Sequence, residues 1–409
     1  MTNRRCRCIN CITPPYLLNK LLENPDNRIR DAAQRTLLVT ARLRGERSIR
    51  GLVASAAAAP SEARRTVSDC ANSMFLPSAT VVRTEDGPPS RDDSANRAFD
   101  GLGATRDFYK DIFDRDSLDG RGMRLSAFVH YGTGYNNAFW DGSEMVFGDG
   151  DGVLFTDFTK SLDVIAHELT HGVTDYTAAL KYHNQSGALN ESMSDVFGSL
   201  VKQWAAKQTA NQADWLIGAE IFSPDIEGDA LRSMKDPGNA YNSPTLGKDP
   251  QPDNMSKYKM LPDTDEGDNG GVHINSGIPN KAFYLTAVGI GGHAWEAPGR
   301  IWYAALLASN PDTDFQQFAD TTYVQAGRFY GELSAEQQAV LSAWREVGIR
   351  VSGARTLAGT VDRPRRPQIA VVANGREEDQ ADVSKKIEQM SGQLAVLTKQ
   401  VASLRSKPH

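Results

Sequence analysis

Residues 162–176 constrain this chain more than any other segment, because they combine a helical apolar pattern with a pair of histidines. The centre of the segment has the sequence HELTH, at residues 167–171. Residues four apart lie on one face of a helix, so the imidazoles of His167 and His171 can reach a single Zn²⁺. Glu168 lies beside such a metal and can take a proton from a metal-bound water. The spacing predicts a helical zinc site.

A third ligand is expected from the segment that follows. Glu191 comes after an interval of 19 residues, positions 172–190. We expect Asn190 to cap a second helix that starts at Glu191, and a helix-turn-helix would bring this carboxylate to the metal. Asp195 lies at i+4 on the same face, placed to accept a hydrogen bond from a ligating histidine. Two His and one Glu leave a position for water, as in a catalytic zinc site.

Composition excludes collagen-like, wholly disordered and multi-spanning membrane proteins. The chain has 409 residues, 40% of them hydrophobic, and a mean hydropathy of −0.45. No apolar run approaches the roughly 18 residues needed to cross a bilayer, so no membrane partner is expected. Residues 1–50 carry a net charge of +7, which leaves −13 for the rest of a chain whose total is −6. We expect this basic arm to bind its own protein; the alternative, nucleic-acid binding, would favour interleaved aromatics that the arm lacks.

Changes in composition divide the chain into units. Residues 1–55 form a separate basic unit, with an extended stretch at 14–18 and a helix capped by Asp26. Short β-type runs are frequent from 65 to about 160, and helical periodicity dominates afterwards. The pattern predicts an α+β fold in which a β-rich half precedes an α-rich half.

The ends of the chain carry further predictions. The alanine-rich stretch at 54–60 is typical of a linker or processing zone. Residues 352–382 are expected to form a second linker, and the 4-3 apolar spacing over 383–405 predicts a short heptad helix. That helix could self-associate, or pack on its own body or on a partner.

The four cysteines lie at positions 6, 8, 11 and 70, so a disulfide framework does not hold the body together. Cys6, Cys8 and Cys11 could bind a metal, or inhibit one by thiolate ligation, but incidental thiols in a removable segment are the preferred interpretation. The N-terminus lacks the apolar region of a standard secretory signal.

Several motifs in one order and spacing resemble the thermolysin family of neutral zinc metallopeptidases, over roughly residues 65–350. They are NNAFW at 136–140, GDGDG at 148–152, HELTH at 167–171, NESMSD at 190–195, LRSM at 231–234 and DNGGVH at 268–273. The PPYLL segment at 14–18 further resembles the protealysin branch of the family, whose short propeptide is inhibitory. The extension from 352 to 409 lies outside the resemblance.

The resemblance implies two lobes, a β-rich N-terminal lobe at 65–189 that includes the HELTH helix and an α-helical lobe at 190–350, with the zinc-site helix between them. It implies the following roles. His167, His171 and Glu191 bind one zinc ion, Glu168 is general base and proton shuttle, Asp195 supports a ligating histidine, and His273, oriented by Asp268, stabilises the oxyanion together with Tyr182.

Substrate contacts are implied in the same way. Asn137 and the Ala138 backbone hold an extended peptide, and Arg232 binds the carbonyl beyond the scissile bond. The S1′ pocket of the family is apolar, which implies cleavage on the amino side of large apolar residues such as Leu or Phe. The residues at its matching positions are Phe155, Phe158, Val164 and Leu231.

Calcium binding is where this sequence departs from the family. Of the carboxylates of the double-calcium site, Asp163 and Asp214 remain, but matching positions hold Lys202, Leu216 and Ala219. An ammonium group supplies positive charge where carboxylates converge, so we expect Lys202 to replace a cation and the double site to be lost. The loop with Asp149 and Asp151 is expected to be a Gly-Asp turn rather than a calcium or phosphate site.

Two alternatives stay open at this point: an aminopeptidase with the same zinc scheme, and an adhesion or scaffold protein whose heptad tail is the functional part. The 19-residue interval and the His273 donor favour an endopeptidase. We expect peptide substrates and an inhibitory propeptide that the enzyme itself removes near residues 50–60. The resemblance implies secretion, whereas the missing signal also fits a cytoplasmic enzyme.

Overall fold

The computed structural model of the chain describes residues 10–50 and 64–354, with the side chains of 11–43 and 64–354. These residues belong to one compact unit, Met1–Asp362; a second unit, Arg363–His409, lies outside them. The predictions for Cys6, Cys8, the 54–60 stretch, the second linker beyond Ala354 and the heptad helix therefore fall outside the described residues.

A six-stranded mixed sheet forms the N-terminal half. Its strands are β1 (Asn10–Cys11), β2 (Arg65–Asp69), β3 (Thr80–Thr84), β4 (Leu125–Val129), β5 (Ala138–Trp140) and β6 (Met145–Phe147). Their order is β1-β5-β6-β4-β2-β3. The β2–β4 and β4–β6 pairs are parallel, and the other pairs are antiparallel. The edge strand β1 comes from the N-terminal arm, so the arm is an integral part of this sheet.

Helices make up most of the remaining structure. Within the described residues they are α1 (Pro15–Leu21), α2 (Asn27–Arg50), α3 (Asp93–Phe113), α4 (Leu162–Asp175), α5 (Asn184–Ala206), α6 (Asp268–Asn275), α7 (Gly277–Ile290), α8 (Ala297–Ala308), α9 (Phe315–Tyr330) and α10 (Ala335–Glu346). Four two-residue strands precede α6: β7 (Leu216–Ile217), β8 (Arg232–Ser233), β9 (Asn242–Ser243) and β10 (Gly247–Lys248). The predicted α+β fold is confirmed, although α3 adds a long helix to the β-rich half.

Helix α4 is buried along almost its whole length, although half of its 14 residues are polar or charged. All but its first residue are buried, and it packs along α5. The two helices approach closely at Gly198, where a Cβ atom would lie 2.6 Å from the carbonyl oxygen of Asp163 and 3.3 Å from the backbone nitrogen of His167. A side chain there would push α5 away from the helix that carries both histidines.

The N-terminal arm contains two helices where the sequence predicts one. The expected extended stretch at 14–18 is wrong, because α1 begins at Pro15. Proline fits the first turn of a helix, where its fixed φ is suitable and no amide hydrogen is needed. Helix α2 begins at Asn27 as expected, with the carboxylate of Asp26 accepting from the amide of Arg28 at 2.8 Å.

The GDGDG loop is the expected turn, and it also holds a histidine. One carboxylate oxygen of Asp151 accepts from the amides of residues 153, 154 and 155. The carboxylate of Asp149 is hydrogen-bonded to His130 Nδ1 at 2.8 Å. The carboxylate of Asp92, the N-cap residue of α3, is hydrogen-bonded to His130 Nε2 at 2.5 Å. These hydrogen bonds, with that to Asp149 the strongest, outweigh burial and raise the pKa of His130 to about 9.

Within the described parts of the chain, no helix combines the length and the apolar character that crossing a lipid bilayer requires.

Candidate active site

Three side chains from α4 and α5 converge on one point. The Nε2 atoms of His167 and His171 lie 3.1 Å apart. One carboxylate oxygen of Glu191 is 3.5 Å from the first of them, and its other oxygen is 3.5 Å from the second. All three side chains are fully buried. Among the described residues, this is the single group of His, Cys and carboxylate side chains with metal-binding geometry.

The other imidazole nitrogens fix how these histidines face each other. His167 Nδ1–H donates to Asp195 at 2.8 Å, and His171 Nδ1–H donates to the side-chain oxygen of Asn190 at 2.8 Å. Both Nε2 lone pairs therefore point into the space between the rings, which is unfavourable unless a cation lies there. One oxygen of Glu191 is buried without a hydrogen-bond partner. Two imidazoles and a carboxylate with unused lone pairs fit a zinc ion.

The predicted start of the second helix is wrong by about two turns. Helix α5 begins at Asn184, so Asn190 is not its N-cap. Asn190 lies within the helix, where its amide oxygen accepts from His171 and its amide nitrogen donates to the carbonyl of Leu180. It orients a histidine of the site, a role that the sequence prediction missed because Asn is also a common N-cap residue.

Asp195 is the centre of a buried polar network. It accepts from His167, from two guanidinium nitrogens of Arg232 at 2.8 Å each and from the Asn280 amide at 2.8 Å. Burial alone would raise the pKa of Asp195, but the Arg232 charge and the hydrogen bond from His167 lower it well below its usual range. The sequence prediction did not include Asn280. The one sequence signal for this residue is a polar amide within an otherwise largely apolar helical segment.

Glu168 lies beside the three converging side chains. One of its oxygens accepts from the backbone amide of Trp140 at 3.0 Å, and the other has no hydrogen-bond partner. Burial, reinforced by the charge of Glu191, raises the pKa of Glu168 well above its usual value. A carboxylate that holds a proton readily is suited to carrying one between a water and a leaving nitrogen.

His273 approaches the same point from α6. Its Nδ1–H donates to Asp268 at 2.5 Å, and its Nε2 lies 3.2 Å from the Tyr182 hydroxyl, which itself donates to Glu191. Burial lowers the pKa of His273, but the charges of Asp268 and Glu191 outweigh it and give a net rise. The left-handed turn before it needs Gly270 (φ 82°), because a Cβ there would lie 2.2 Å from the side chain of Asn184.

The N-terminal arm lies as an extended strand in the space between β5, Arg232 and His273, which we call the cleft. β1 pairs antiparallel with β5, and the Ile12 amide donates to the Ala138 carbonyl at 3.2 Å. The Thr13 amide donates to Asn137 Oδ1 at 2.9 Å, and Arg232 donates to the Ile12 carbonyl at 3.1 Å. The three residues expected to hold an extended peptide therefore hold this chain's own N-terminal arm.

The residues expected to line an S1′ pocket are buried together. Phe155, Phe158, Val164 and Leu231 are all at most 1% exposed and belong to the same apolar core as Ile12. The rings of Phe155 and Phe158 are tilted at 30° with centroids 5.9 Å apart.

Lys202 lies among the carboxylates of the expected calcium region. Its Nζ is 3.1 Å from Asp163, 3.2 Å from Asp214 and 3.4 Å from Glu220, which the sequence prediction did not include. Burial lowers the pKa of Lys202, but the Asp163 charge and then those of the other two carboxylates outweigh it and give a net rise. The ammonium group thus occupies the point where these carboxylates converge.

Comparisons with known proteins match this geometry. A family model described as the thermolysin metallopeptidase catalytic domain matches residues 62–175, and one described as its alpha-helical domain matches 178–349. An extracellular metalloprotease of Pectobacterium carotovorum subsp. carotovorum is 46% identical over 85% of this chain and 98% of its own length. Thermolysin of Alicyclobacillus acidocaldarius subsp. acidocaldarius is 45% identical over 60% of this chain and 44% of its own.

A solved structure shares the fold of the chain. It is described as the precursor of protealysin, a metalloproteinase from Serratia proteamaculans, and it superposes with a TM-score of 0.75 at 46% sequence identity. The match covers 83% of this chain and 99% of the other.

Proposed function

Because the chain belongs to the thermolysin family of zinc metallopeptidases, we propose that it is made as a self-inhibited precursor whose mature form cleaves on the amino side of large apolar residues. The enzyme is a zinc metalloendopeptidase. The observation that carries the proposal is the arm in the cleft, with the Cys11 carbonyl 3.0 Å from His273 Nε2.

We assign each side chain of the site a task. His167, His171 and Glu191 hold zinc, which when bound polarises a carbonyl and lowers the pKa of a water. Glu168 takes the proton of the attacking water and delivers it to the leaving nitrogen.

Charge on the oxyanion is met by two donors. His273, which is hydrogen-bonded through Nδ1 to Asp268, donates from Nε2 to the oxygen on which negative charge develops. Tyr182, whose hydroxyl donates to Glu191 in this structure, becomes the second donor when it turns to that oxygen. Donors of this kind contribute about 2.7–4 kcal/mol each to stabilisation of the transition state.

Recognition of the substrate follows from the contacts that the arm now makes. Asn137 and the Ala138 backbone bind the main chain of an extended peptide, and Arg232 binds the carbonyl of the residue after the scissile bond. The apolar side chains of Phe155, Phe158, Val164 and Leu231 select a large apolar residue at that position. Peptides with Asp or Gly there lose this burial and are poor substrates.

The units of the chain have separate roles. Residues 1–55 are the inhibitory propeptide, and 65–189 and 190–350 are the two catalytic lobes. The propeptide is removed by the enzyme itself, near residues 50–60. The mature enzyme is exported, in keeping with its extracellular relative.

The ammonium group of Lys202 replaces a bound cation. Three carboxylates surround its ammonium group, while Leu216 and Ala219 offer no side-chain oxygen. The double-calcium site of the family is therefore lost. Calorimetric titration of the full chain with Ca²⁺ tests this: we expect no tight binding, and two tightly bound ions per chain would contradict it.

Casein or furylacryloyl-peptide hydrolysis by the purified chain tests the enzyme itself. We expect activity that develops as the propeptide is lost, that o-phenanthroline abolishes and zinc restores, and that the Glu168→Ala variant lacks. The same variant should keep its full length. Equal turnover of peptides with Leu, Asp and Gly after the scissile bond would contradict the proposed specificity, and efficient processing of purified Glu168→Ala alone would contradict self-processing.

A further inference from the structure

One peptide bond of the arm, between Cys11 and Ile12, lies in the position of a scissile bond. The carbonyl on its amino side, that of Cys11, accepts from His273 Nε2 at 3.0 Å. On its other side, the Ile12 amide donates to the Ala138 carbonyl and the Ile12 carbonyl accepts from Arg232. His273, Ala138 and Arg232 are the groups proposed above to hold the reacting portion of a substrate.

The proton carrier stands next to the same bond. Glu168 is fully buried and has one oxygen without a hydrogen-bond partner, and its other oxygen accepts from the Trp140 amide of β5, the strand that pairs with β1. Cleavage would leave the Ile12 nitrogen on this strand pair, where Glu168 is the group that can protonate it. The bond lies in extended main chain, because β1 pairs with β5 just before it.

The residue after the bond satisfies the proposed specificity. Ile12 is a large apolar side chain, fully buried in the core that also contains Phe155 and Leu231. Asp or Gly at this position would lack that burial. The arm thus has both the main-chain contacts and the large apolar side chain that the proposed function expects of a substrate.

The carboxyl-terminal side of the bond is firmly held. After the bond, Leu17, Leu18 and Leu21 of α1 are each at most 1% exposed. Breaking the bond would leave the carboxyl-terminal piece anchored by α1.

We propose that the Cys11–Ile12 bond is a self-cleavage site, cut before the propeptide is removed, and that residues 12–50 remain bound as an inhibitory product. The inference rests on the proposed function. Water adds to the carbonyl carbon of Cys11, the bond from that carbon to the Ile12 nitrogen breaks, and Glu168 carries a proton from the water to the nitrogen. The products are a carboxylate at Cys11 and an amine at Ile12.

The test follows the mass of the purified full chain. Protein prepared with chelator is supplied with zinc, and intact mass and N-terminal sequence are read over time. We expect early loss of residues 1–11, a new N-terminus at Ile12 and a rate independent of dilution, because the bond is cut within its own molecule. Glu168→Ala should stay intact.

Variants at Ile12 separate this site from others. Ile12→Leu keeps a large apolar side chain and should be cut at the same bond, whereas Ile12→Asp should slow that cut at least tenfold. Cutting of Ile12→Asp at the unchanged rate would overturn the proposal, because recognition of this side chain would then play no part.

A zinc-free measurement checks the register independently of activity. Cys11 is 1% exposed, so iodoacetamide should label it slowly in the zinc-free chain and in Ile12→Leu, as located by peptide mass. Rapid labelling of Cys11 in the folded zinc-free chain would overturn the register on which the proposal depends.

The remaining outcomes distinguish this proposal from the proposed function. A chain that hydrolyses casein after processing near 50–60, but never shows an N-terminus at Ile12 at any time, overturns the self-cleavage site and leaves the enzyme assignment standing. A zinc-supplied chain that shows neither casein hydrolysis nor any cut overturns both.

Discussion

At the scale of single residues, Asp195 connects the zinc site to Arg232, the residue proposed to bind substrate. One of its oxygens accepts from both His167 and Arg232, and the other accepts from Arg232 and Asn280. The side chain that orients a ligating histidine is therefore also the one that fixes the guanidinium group in the cleft. A change here should disturb both functions at once.

We predict that Asp195→Asn weakens zinc binding about 10- to 100-fold, because His167 loses its charged acceptor and Arg232 its counter-ion. Competition with a chromophoric chelator measures the affinity. Glu168→Gln is the control: it removes a carboxylate from the same site without removing a ligand, and should bind zinc as tightly as the parent chain. Unchanged zinc affinity in Asp195→Asn would show that the network is not needed for ligand geometry.

His130 gives a prediction about pH and stability. Its pKa is raised in the folded state to about 9, so its stabilising effect is fully present below the unfolded value near 6.5 and is lost as the pH rises through 9. We predict that His130→Gln lowers the free energy of unfolding by ~2 kcal/mol near pH 6 and much less near pH 10.

Denaturant unfolding of the zinc-free chain at several pH values measures this, with Glu168→Ala as the background to prevent self-digestion. A loss that is equal at both ends of the pH range would mean that the charge of His130 plays no part.

At the scale of secondary structure, the site depends on how closely α5 packs against α4. Gly198 allows this approach, since a Cβ atom would meet the backbone of α4 rather than a side chain that can move. Both histidines are on α4 and Glu191 is on α5, so the separation of these helices determines the ligand distances.

We predict that Gly198→Ala destabilises the chain by about 1–3 kcal/mol and weakens zinc binding. Gly289→Ala is a matched control in α7, where a Cβ would meet one atom, the Ala339 Cβ, at 3.5 Å. That change should be neutral or stabilising by up to ~1 kcal/mol, because alanine is the better helix former. Thermal unfolding of both variants makes the comparison, and an equal effect of the two would contradict the packing argument.

Lys202 joins the start of α4 to α5 and to the loop that follows. We predict that Lys202→Met destabilises the chain by about 1–3 kcal/mol, because Asp163 is fully buried and loses its positive partner. Thermal unfolding measures the loss. Lys207→Met provides a control at the exposed end of α5, where little change is expected.

At the scale of the whole molecule, we propose that α1 holds the N-terminal arm in its inhibitory position. Leu21 is fully buried, whereas the next residue, Leu22, is 38% exposed. We predict that Leu21→Asp loosens the arm and gives the intact precursor peptidase activity at least tenfold above the parent, while Leu22→Asp does not. Initial rates on a furylacryloyl peptide, taken before processing begins, decide between them. Equal rates in the two variants would remove α1 from the inhibition.

The sequence could predict the parts of the molecule that depend on local pattern. The HELTH helix follows from its apolar period, and the α+β class from the change in period near residue 160. The register of the arm could not be predicted, because the contact of Cys11 with His273 joins residues 262 positions apart. The start of α5 was misplaced for a local reason: Asn190 has the chemistry of a cap but is used to orient a histidine.

Removal of the arm also changes the sheet. β1 is its edge strand, so the sheet of the proposed mature form has five strands and ends at β5, Ala138–Trp140. An open edge accepts extended main chain of almost any sequence, but it also invites aggregation between copies. Since this edge is three residues long, it offers enough pairing to align a substrate and too little to support a growing intermolecular sheet.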